Sequence, residues 1–121
     1  MKTITAILFL ISIGFASAAI AGDVEDGWAA YEEGNYEAAF SAFSKAAELG
    51  DAEAQYKLAD MCREGEGVPQ DYKQAMSWFL KAAEQGIAIA QVRIGGMYFG
   101  GKGVPQDYKQ AMSWFLKAAE Q

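Results

Sequence analysis

The sequence predicts an all-α protein, a short solenoid of helix–turn–helix units, and three observations carry this prediction. Residues 67–85 recur without a change at 103–121, an offset of 36 residues, and a fixed period of this length is typical of stacked supersecondary units. Apolar residues within this segment recur at three- and four-residue spacing, which fits one face of a helix and not a strand. Finally, 18 of the 48 apolar residues in 22–121 are alanine, which favours close helix packing over a sheet sandwich.

The first 21 residues predict a secretory signal peptide. Lys2 supplies a positive start, residues 4–15 are apolar, and two A-x-A sites follow, ending at Ala18 and Ala21. We expect cleavage after Ala21, which leaves residues 22–121 as one domain. The apolar stretch is shorter than the roughly 20 residues of a spanning helix, so we expect no stable membrane insertion after cleavage. The expected location is the periplasm or the outside of the cell.

The domain divides into three units, at about 23–50, 51–86 and 87–121. The first unit is a shorter copy of the repeat, because its loop between helices is reduced to Gly34-Asn35. Each unit is expected to contain two helices.

The second unit shows the expected start and end of each helix. Asp51 and Asp71 are N-cap residues, whose carboxylates accept hydrogen bonds from free backbone N–H groups of the first turn. The first helix is expected to run from about Asp51 to Arg63 or Glu64. The second, of about 14 residues, ends at Gly86, a residue suited to a left-handed cap. A loop containing glycine and proline separates the two, and in the third unit Asp107 and Gln110 repeat the start of the second helix.

The composition argues against catalysis, metal binding and nucleic-acid binding. With 10 basic and 16 acidic residues the net charge is −6, which makes the chain a poor partner for a polyanion. No histidine is present, so the commonest general base and metal ligand is missing. None of Ser41, Ser44, Ser77 and Ser113 has a lysine three residues later, so the predicted mature chain lacks an S-x-x-K motif. We expect no enzymatic activity, no cofactor and no metal.

Two segments, Gly65-Glu66-Gly67 and Gly101-Lys102-Gly103, invite comparison with phosphate-binding loops. Both lack the third glycine of such loops and follow the C-terminal end of a helix, whose dipole repels anions. We interpret them as helix terminators.

The second unit carries a long pattern of small, glycine and aromatic residues, most of which recur in the third. It comprises Ala54, Gln55, Leu58, Met61, Gly65, Gly67, Val68, Pro69, Asp71, Tyr72, Ala75, Trp78, Lys81, Ala82, Ala83, Glu84 and Gly86. This pattern resembles the Sel-one-like repeat (SLR), a subfamily of the tetratricopeptide repeats, over residues 51–121. Residues 23–50 resemble the shorter tetratricopeptide form. The resemblance implies a right-handed α-solenoid whose concave face, lined by first helices, binds peptides or protein surfaces.

Carried onto this chain, the resemblance places a partner-binding surface on the first helices. The expected residues are Trp28, Tyr31, Tyr56, Asp60, Arg63, Val92, Gly96 and Phe99. They lie on the side not used by the apolar stripe of Ala54, Leu58 and Met61. Such a groove is aromatic and acidic at one end and apolar at the other, which suits an extended peptide or a partner helix. The alternative is an exposed flank without a ligand.

The last helix and the single cysteine lead to expectations about self-association. The last helix repeats an internal one without change, so its apolar face is expected to be uncovered and to support a homodimer. The residues concerned are Met112, Phe115, Ala118 and Ala119. Cys62 is expected to be buried, because the corresponding position of the third unit is a packing position. The alternative is a disulfide-linked dimer.

The function expected from these observations is a non-catalytic interaction or scaffold module of the bacterial cell envelope, with a protein or peptide partner. Two other hypotheses about the function stay open. Cysteine-rich SLR relatives imply a β-lactamase-like enzyme, although this chain has one cysteine and so lacks their cysteine pairs. The unchanged repeat also fits a truncated fragment without independent function.

Overall fold

The structure is a computed structural model that describes residues 2–121, with side chains described from Ser17 onward. Over this range it contains no strand and six helices: α1 (Lys2–Glu32), α2 (Tyr36–Glu48), α3 (Ala52–Glu64), α4 (Tyr72–Glu84), α5 (Ala88–Gly100) and α6 (Tyr108–Ala119). The predicted all-α class is confirmed. The apolar stretch of the predicted signal peptide lies outside the described side chains. Among the described residues, no helix is both long enough and apolar enough to cross a membrane.

The helices pack as three successive hairpins, α1 with α2, α3 with α4, and α5 with α6. Neighbouring hairpins are joined where α2 packs on α3 and where α4 packs on α5. Each helix therefore packs mainly on its neighbours in sequence, which is the arrangement of a helical repeat solenoid.

The helix ends follow the signals that the sequence contains. Asp51 accepts a hydrogen bond from a backbone N–H of the first turn of α3 at 2.8 Å, and Asp71 does the same for α4 at 3.0 Å. Asp107 caps α6 in the same way. Gly65 ends α3 with a left-handed φ of 74°, and Gly86 follows α4 with φ 88°. The predicted cap residues are confirmed at the starts of α3, α4 and α6 and after the end of α4, whereas α5 begins after Ile87 without a side-chain cap.

Each hairpin is closed by a phenylalanine of its second helix that faces a small residue of its first helix. A methyl group added at Gly95 would lie 2.6 Å from the Phe115 ring, closer than two carbon atoms can approach. Two such pairs are in direct contact, Gly27 with Phe43 and Gly95 with Phe115; in the second hairpin Ala59 takes the corresponding position and is buried in one core with Phe79. The small residue lets the two helices approach until the ring is in contact with the backbone.

Buried glutamines form hydrogen bonds between neighbouring hairpins and set how the hairpins align along one another. The Nε2 group of Gln55 donates to a backbone carbonyl of α2 at 3.2 Å, and that of Gln91 donates to a carbonyl of α4 at 3.3 Å. Their amide oxygens accept from Gln85 and Gln121, each at 2.9 Å. Because a buried polar group without a partner costs about 1–3 kcal/mol, a shift of one hairpin along the next is disfavoured.

Gly95 and Gly96 are adjacent in α5 but have different surroundings, which provides a test of the closing contact. A methyl group at Gly96 would meet nothing within 4 Å, so Gly96→Ala is expected to stabilise the protein by about 1 kcal/mol, the difference in helix propensity. At Gly95 the methyl must displace the Phe115 ring, and overpacking costs about 1–3 kcal/mol, so Gly95→Ala is expected to unfold at a lower temperature than the wild type. Thermal denaturation followed by circular dichroism measures both. Equal unfolding temperatures for the two variants would contradict the packing argument.

Candidate binding groove

Trp28 and Tyr31, predicted at one end of the partner-binding surface, are covered by α3. Lys57 lies across both rings, with its Nζ 3.5 Å from the Tyr31 ring centre and 5.3 Å from that of Trp28. The Trp28 Nε1 group donates to Glu53 and the Tyr31 hydroxyl donates to Glu66, both at 2.9 Å. Burial, together with the hydrogen bond to Glu66, raises the pKa of Tyr31 to about 12. We call this place the α1–α3 junction. Its side chains contact one another and fill the space between them.

Tyr56 also makes contacts inside the chain. Its ring centre lies 5.9 Å from that of Phe79, and the residue is half-buried against the core of the second hairpin. Tyr56 was predicted on the partner-binding surface from the resemblance to the SLR family. An aromatic ring at this position is stabilised more by packing on a neighbouring aromatic side chain than by exposure to solvent.

Asp60, Arg63 and Arg93 join α3 to α5. Asp60 Oδ1 accepts hydrogen bonds from Arg63 Nη2 at 2.8 Å and from Arg63 Nε at 3.2 Å. Arg63 also pairs with Glu64 at 2.6 Å. Arg93 Nε lies 3.7 Å from the same Asp60 oxygen, beyond hydrogen-bond distance, and finds no acceptor among the described residues. Asp60 is therefore held by Arg63, and Arg93 is left with a weaker ion pair.

A cavity of about 440 Å³ opens at this point, and we call it the α3–α5 groove. It is lined by Arg63, Tyr72, Val92, Arg93, Gly96, Met97, Lys102 and Phe115. Three of these residues are cations, although the whole chain carries a net charge of −6. Lys102 lies over the ring of Tyr72, with its Nζ 5.7 Å from the ring centre. The groove is thus a local site of positive charge on an acidic protein.

Val92 and Phe99, both predicted as partner-binding residues, provide exposed apolar surface on α5. Val92 is 44% exposed and Phe99 is 56% exposed, with the Phe99 ring centre 5.1 Å from that of Tyr108. Gly96 lies between them at helical spacing and has open space in front of it. The apolar end of the predicted groove therefore lies on the same helix as Arg93.

Sequence reasoning missed Arg93, Lys102 and Tyr72 as groove residues. A signal for Arg93 exists in the sequence, since it stands 36 residues after Lys57 and both units carry a cation at this position. Lys102 lies in a segment that the sequence analysis interpreted only as a helix terminator. The direction of its side chain depends on how the third hairpin packs on the second, and a local sequence pattern does not predict this packing.

The residues predicted for self-association differ in their exposure to solvent. Met112 is 58% exposed and Ala119 is exposed, and the neighbouring Leu116 is 57% exposed. Phe115 instead is half-buried against Gly95 and lines the α3–α5 groove. It belongs to the closing contact of its own hairpin, as Phe79 does in the hairpin before.

Cys62 is fully buried in α3, so the predicted burial is confirmed. Its thiol donates to the side-chain oxygen of Gln74 at 3.6 Å. Burial, with a smaller effect from the Asp71 carboxylate, raises the pKa of Cys62 to about 11. An intermolecular disulfide would require the second hairpin to open.

The six helices and their packing define a helical repeat protein. A family profile described as Sel1 repeat matches residues 17–51, 52–87 and 88–121. The chain belongs to the Sel1 repeat family. Sel1 repeats generally mediate protein–protein interaction, and members of the family are typically non-catalytic.

Solved structures agree with this assignment. A Sel1 repeat protein from Oxalobacter formigenes is 38% identical, with a TM-score of 0.76 over 81% of this chain and 40% of that one. The protective antigen c5321 of uropathogenic Escherichia coli, which displays an SLR fold, is 36% identical with a TM-score of 0.76 over 91% of this chain and 24% of that one. Helicobacter pylori cysteine rich protein B is 30% identical with a TM-score of 0.64, over 68% of this chain and 62% of that one. The chain thus spans less than two thirds of each. No curated protein matches it.

The buried thiol of Cys62 predicts a large difference in reactivity between the folded and unfolded chain. Because folding raises its pKa from 9.0 to about 11, the thiolate fraction at pH 8 falls about 100-fold. Ellman's reagent at pH 8 is therefore expected to react slowly with the folded protein and rapidly in denaturant, and Cys62→Ser supplies the blank. The raised pKa also means that this group stabilises the fold below pH 9 and that its contribution is lost as the pH rises toward 11. Equal reaction rates with and without denaturant would contradict the burial.

Proposed function

We propose that this chain is a non-catalytic interaction module that binds a peptide or a protein segment in the α3–α5 groove. The observation that carries the proposal is the contrast between two equivalent places in the solenoid. The α1–α3 junction is filled by Lys57 lying on Trp28 and Tyr31. At the α3–α5 groove the chain leaves a cavity of about 440 Å³, with exposed apolar surface beside it.

The chemistry of the groove supports binding rather than catalysis. Its lining consists of cationic, aliphatic and aromatic side chains and one glycine, with no serine, cysteine or carboxylate among them. A nucleophile paired with a base, which covalent catalysis requires, is therefore missing from the lining. Cations and apolar surface in one groove are suited to hold a segment of another protein.

We further propose that the protein is exported and acts in the cell envelope, on the basis of the signal-peptide pattern in residues 1–21. Ile20 packs against the core of the first hairpin. Cleavage after Ala18 retains this contact, and cleavage after Ala21 removes it.

Export predicts a mature chain that begins at Ala19 or Gly22. Expression of the full sequence in a Gram-negative host, followed by osmotic-shock fractionation and intact-mass measurement, determines both the compartment and the N-terminus. Recovery of the unprocessed chain in the cytoplasm alone would contradict the export proposal. Substituting Ala16, Ala18, Ala19 and Ala21 by arginine serves as the matched control, since these changes remove the small residues that define both A-x-A sites.

The binding proposal predicts that peptides selected against the whole protein bind at the α3–α5 groove. Peptides are selected from a random phage-displayed library and their binding is measured by fluorescence anisotropy. Gly96→Leu is expected to weaken binding by about tenfold or more, because the new side chain projects into the groove. Gly96→Ala, which adds one carbon at the same position, is the matched control and is expected to retain most of the affinity. Selected peptides that bind Gly96→Leu as well as the wild type would place the binding surface elsewhere.

A further inference from the structure

We propose that the partner of the α3–α5 groove is an acidic peptide segment. A carboxylate of the partner pairs with Arg93 and Lys102, and a neighbouring apolar side chain lies on Val92 and Phe99. This inference rests on the proposed function and names the chemistry of the partner that the groove recognises.

The α1–α3 junction shows what the corresponding positions do when the chain fills them itself. There the cation of α3, Lys57, lies on two aromatic rings of α1, and Glu66 of the following loop accepts the hydrogen bond of the Tyr31 hydroxyl. In the next unit the positions of Lys57 and Glu66 are taken by Arg93 and Lys102, each 36 residues later. The carboxylate of the loop is thus replaced by a cation.

The residues that face Arg93 differ as well. In the α1–α3 junction the cation meets Trp28 and Tyr31, whereas Arg93 meets Asp60. Asp60 already accepts two hydrogen bonds from Arg63, and Arg93 Nε stays 3.7 Å away from it. Arg93 therefore makes a long ion pair with Asp60 but no hydrogen bond to it through Nε.

The charges around the groove do not balance. Its three cations, Arg63, Arg93 and Lys102, form ion pairs with only two described carboxylates. Asp60 and Glu64 both pair with Arg63, and Asp60 also makes the longer ion pair with Arg93 at 3.7 Å. Lys102 makes no ion pair with any described carboxylate, and its Nζ lies over the face of the Tyr72 ring. A carboxylate from a partner would supply the missing charge, and its hydrogen bonds to Arg93 would be stronger than those of a neutral acceptor.

The apolar surface beside the cations defines the rest of the partner. Val92 and Phe99 are seven residues apart in α5, a rise of about 10 Å. An extended peptide covers this distance in about three residues, and its alternate side chains point the same way. Because Gly96 has no side chain, the peptide backbone can approach α5 between these two positions. A segment in which acidic and apolar residues alternate or lie close together fits both features.

Three labelled peptides with blocked ends test the proposal against the full chain. Each has eight residues with leucine at alternate positions, and the other positions are glutamate, glutamine or lysine. Fluorescence anisotropy at low and at high salt measures their affinities. We expect the glutamate peptide to bind at least about tenfold more tightly than the glutamine peptide, and its affinity to fall as salt is added.

Variants of the cations locate the effect. Arg93→Gln and Lys102→Gln are each expected to weaken binding of the glutamate peptide by about tenfold, since each removes a charged partner. Lys45→Gln, an exposed cation at the end of α2, changes the net charge equally and is expected to leave the affinity unchanged. Lys102 is exposed in a loop, so its variant tests the proposal even if Arg93→Gln disturbs the fold.

The outcomes separate this inference from the proposed function. Tighter binding of the glutamate peptide that is lost in both groove variants and kept in Lys45→Gln supports the inference. Equal binding of the glutamate and glutamine peptides, or equal losses in all three variants, overturns it. If the glutamate peptide does not bind while peptides selected from the random library bind the wild type and not Gly96→Leu, the acidic partner is wrong and the groove still has a binding function. If neither group binds, both proposals fail.

Discussion

The close approach of each first helix to one phenylalanine of its own hairpin determines where the other groups of this solenoid lie. The ring is in contact with the first helix because the facing residue is glycine or alanine. Once this contact fixes the rotation of the first helix, the residue that follows the small one lies at the border of the hairpin core, where in the first hairpin Trp28 packs edge-on against Phe43. That residue is Trp28 in α1, Asp60 in α3 and Gly96 in α5. The same packing contact thus presents an aromatic ring, a carboxylate and an open space at three equivalent positions.

The buried glutamines add the second constraint, which acts between hairpins. Apolar contact is not directional, so a stack of alanine-rich helices held by it alone has several nearly equivalent registers. Gln55 and Gln91 each bond a backbone carbonyl of the preceding helix and accept from a donor of their own unit, and the observed register supplies both. A shifted register would leave these buried amides without partners, so the glutamines favour one spacing from α1 to α3 and from α3 to α5. The side chains between these helices either fill the space or leave it open.

Local signals in the sequence were sufficient to predict the helices and their ends. Asp51, Asp71 and Gly86 act within one turn of the chain, so their effect is independent of the rest of the fold. The burial of Cys62 was also predictable, since the repeat places a packing residue at the same position. These are properties of one helix or of one repeat position.

The groove was predictable only in part, because its composition depends on which side chains meet across a junction. Trp28 and Tyr31 have the residue types of a binding surface, yet Lys57 covers them. The periodicity of α1 places the two rings on the correct face, but it does not report that a cation of α3 lies opposite. For Val92 and Phe99 no covering side chain is supplied, and they remain exposed as predicted.

The distribution of identical and differing residues indicates where the function of this chain is encoded. Residues 67–85 and 103–121 have the same sequence, so α4 and α6 bring the same side chains to their hairpins. The two junctions also differ in their second helices, because α2 lies at the first junction where α4 lies at the second, and the sequences of α2 and α4 differ. The differences beside the cation come from the first helices and from the loop residue before the identical segment. At that loop position the chain changes from Glu66 to Lys102, and on the first helix the pair facing the cation changes from two aromatic rings to Asp60 and Arg63. The change on the first helix removes the aromatic side chains that close the α1–α3 junction. The change from Glu66 to Lys102 reverses the charge beside the opening. Differences at the first helices and at one loop position thus distinguish a closed contact from a positively charged groove in hairpins that pack in the same way.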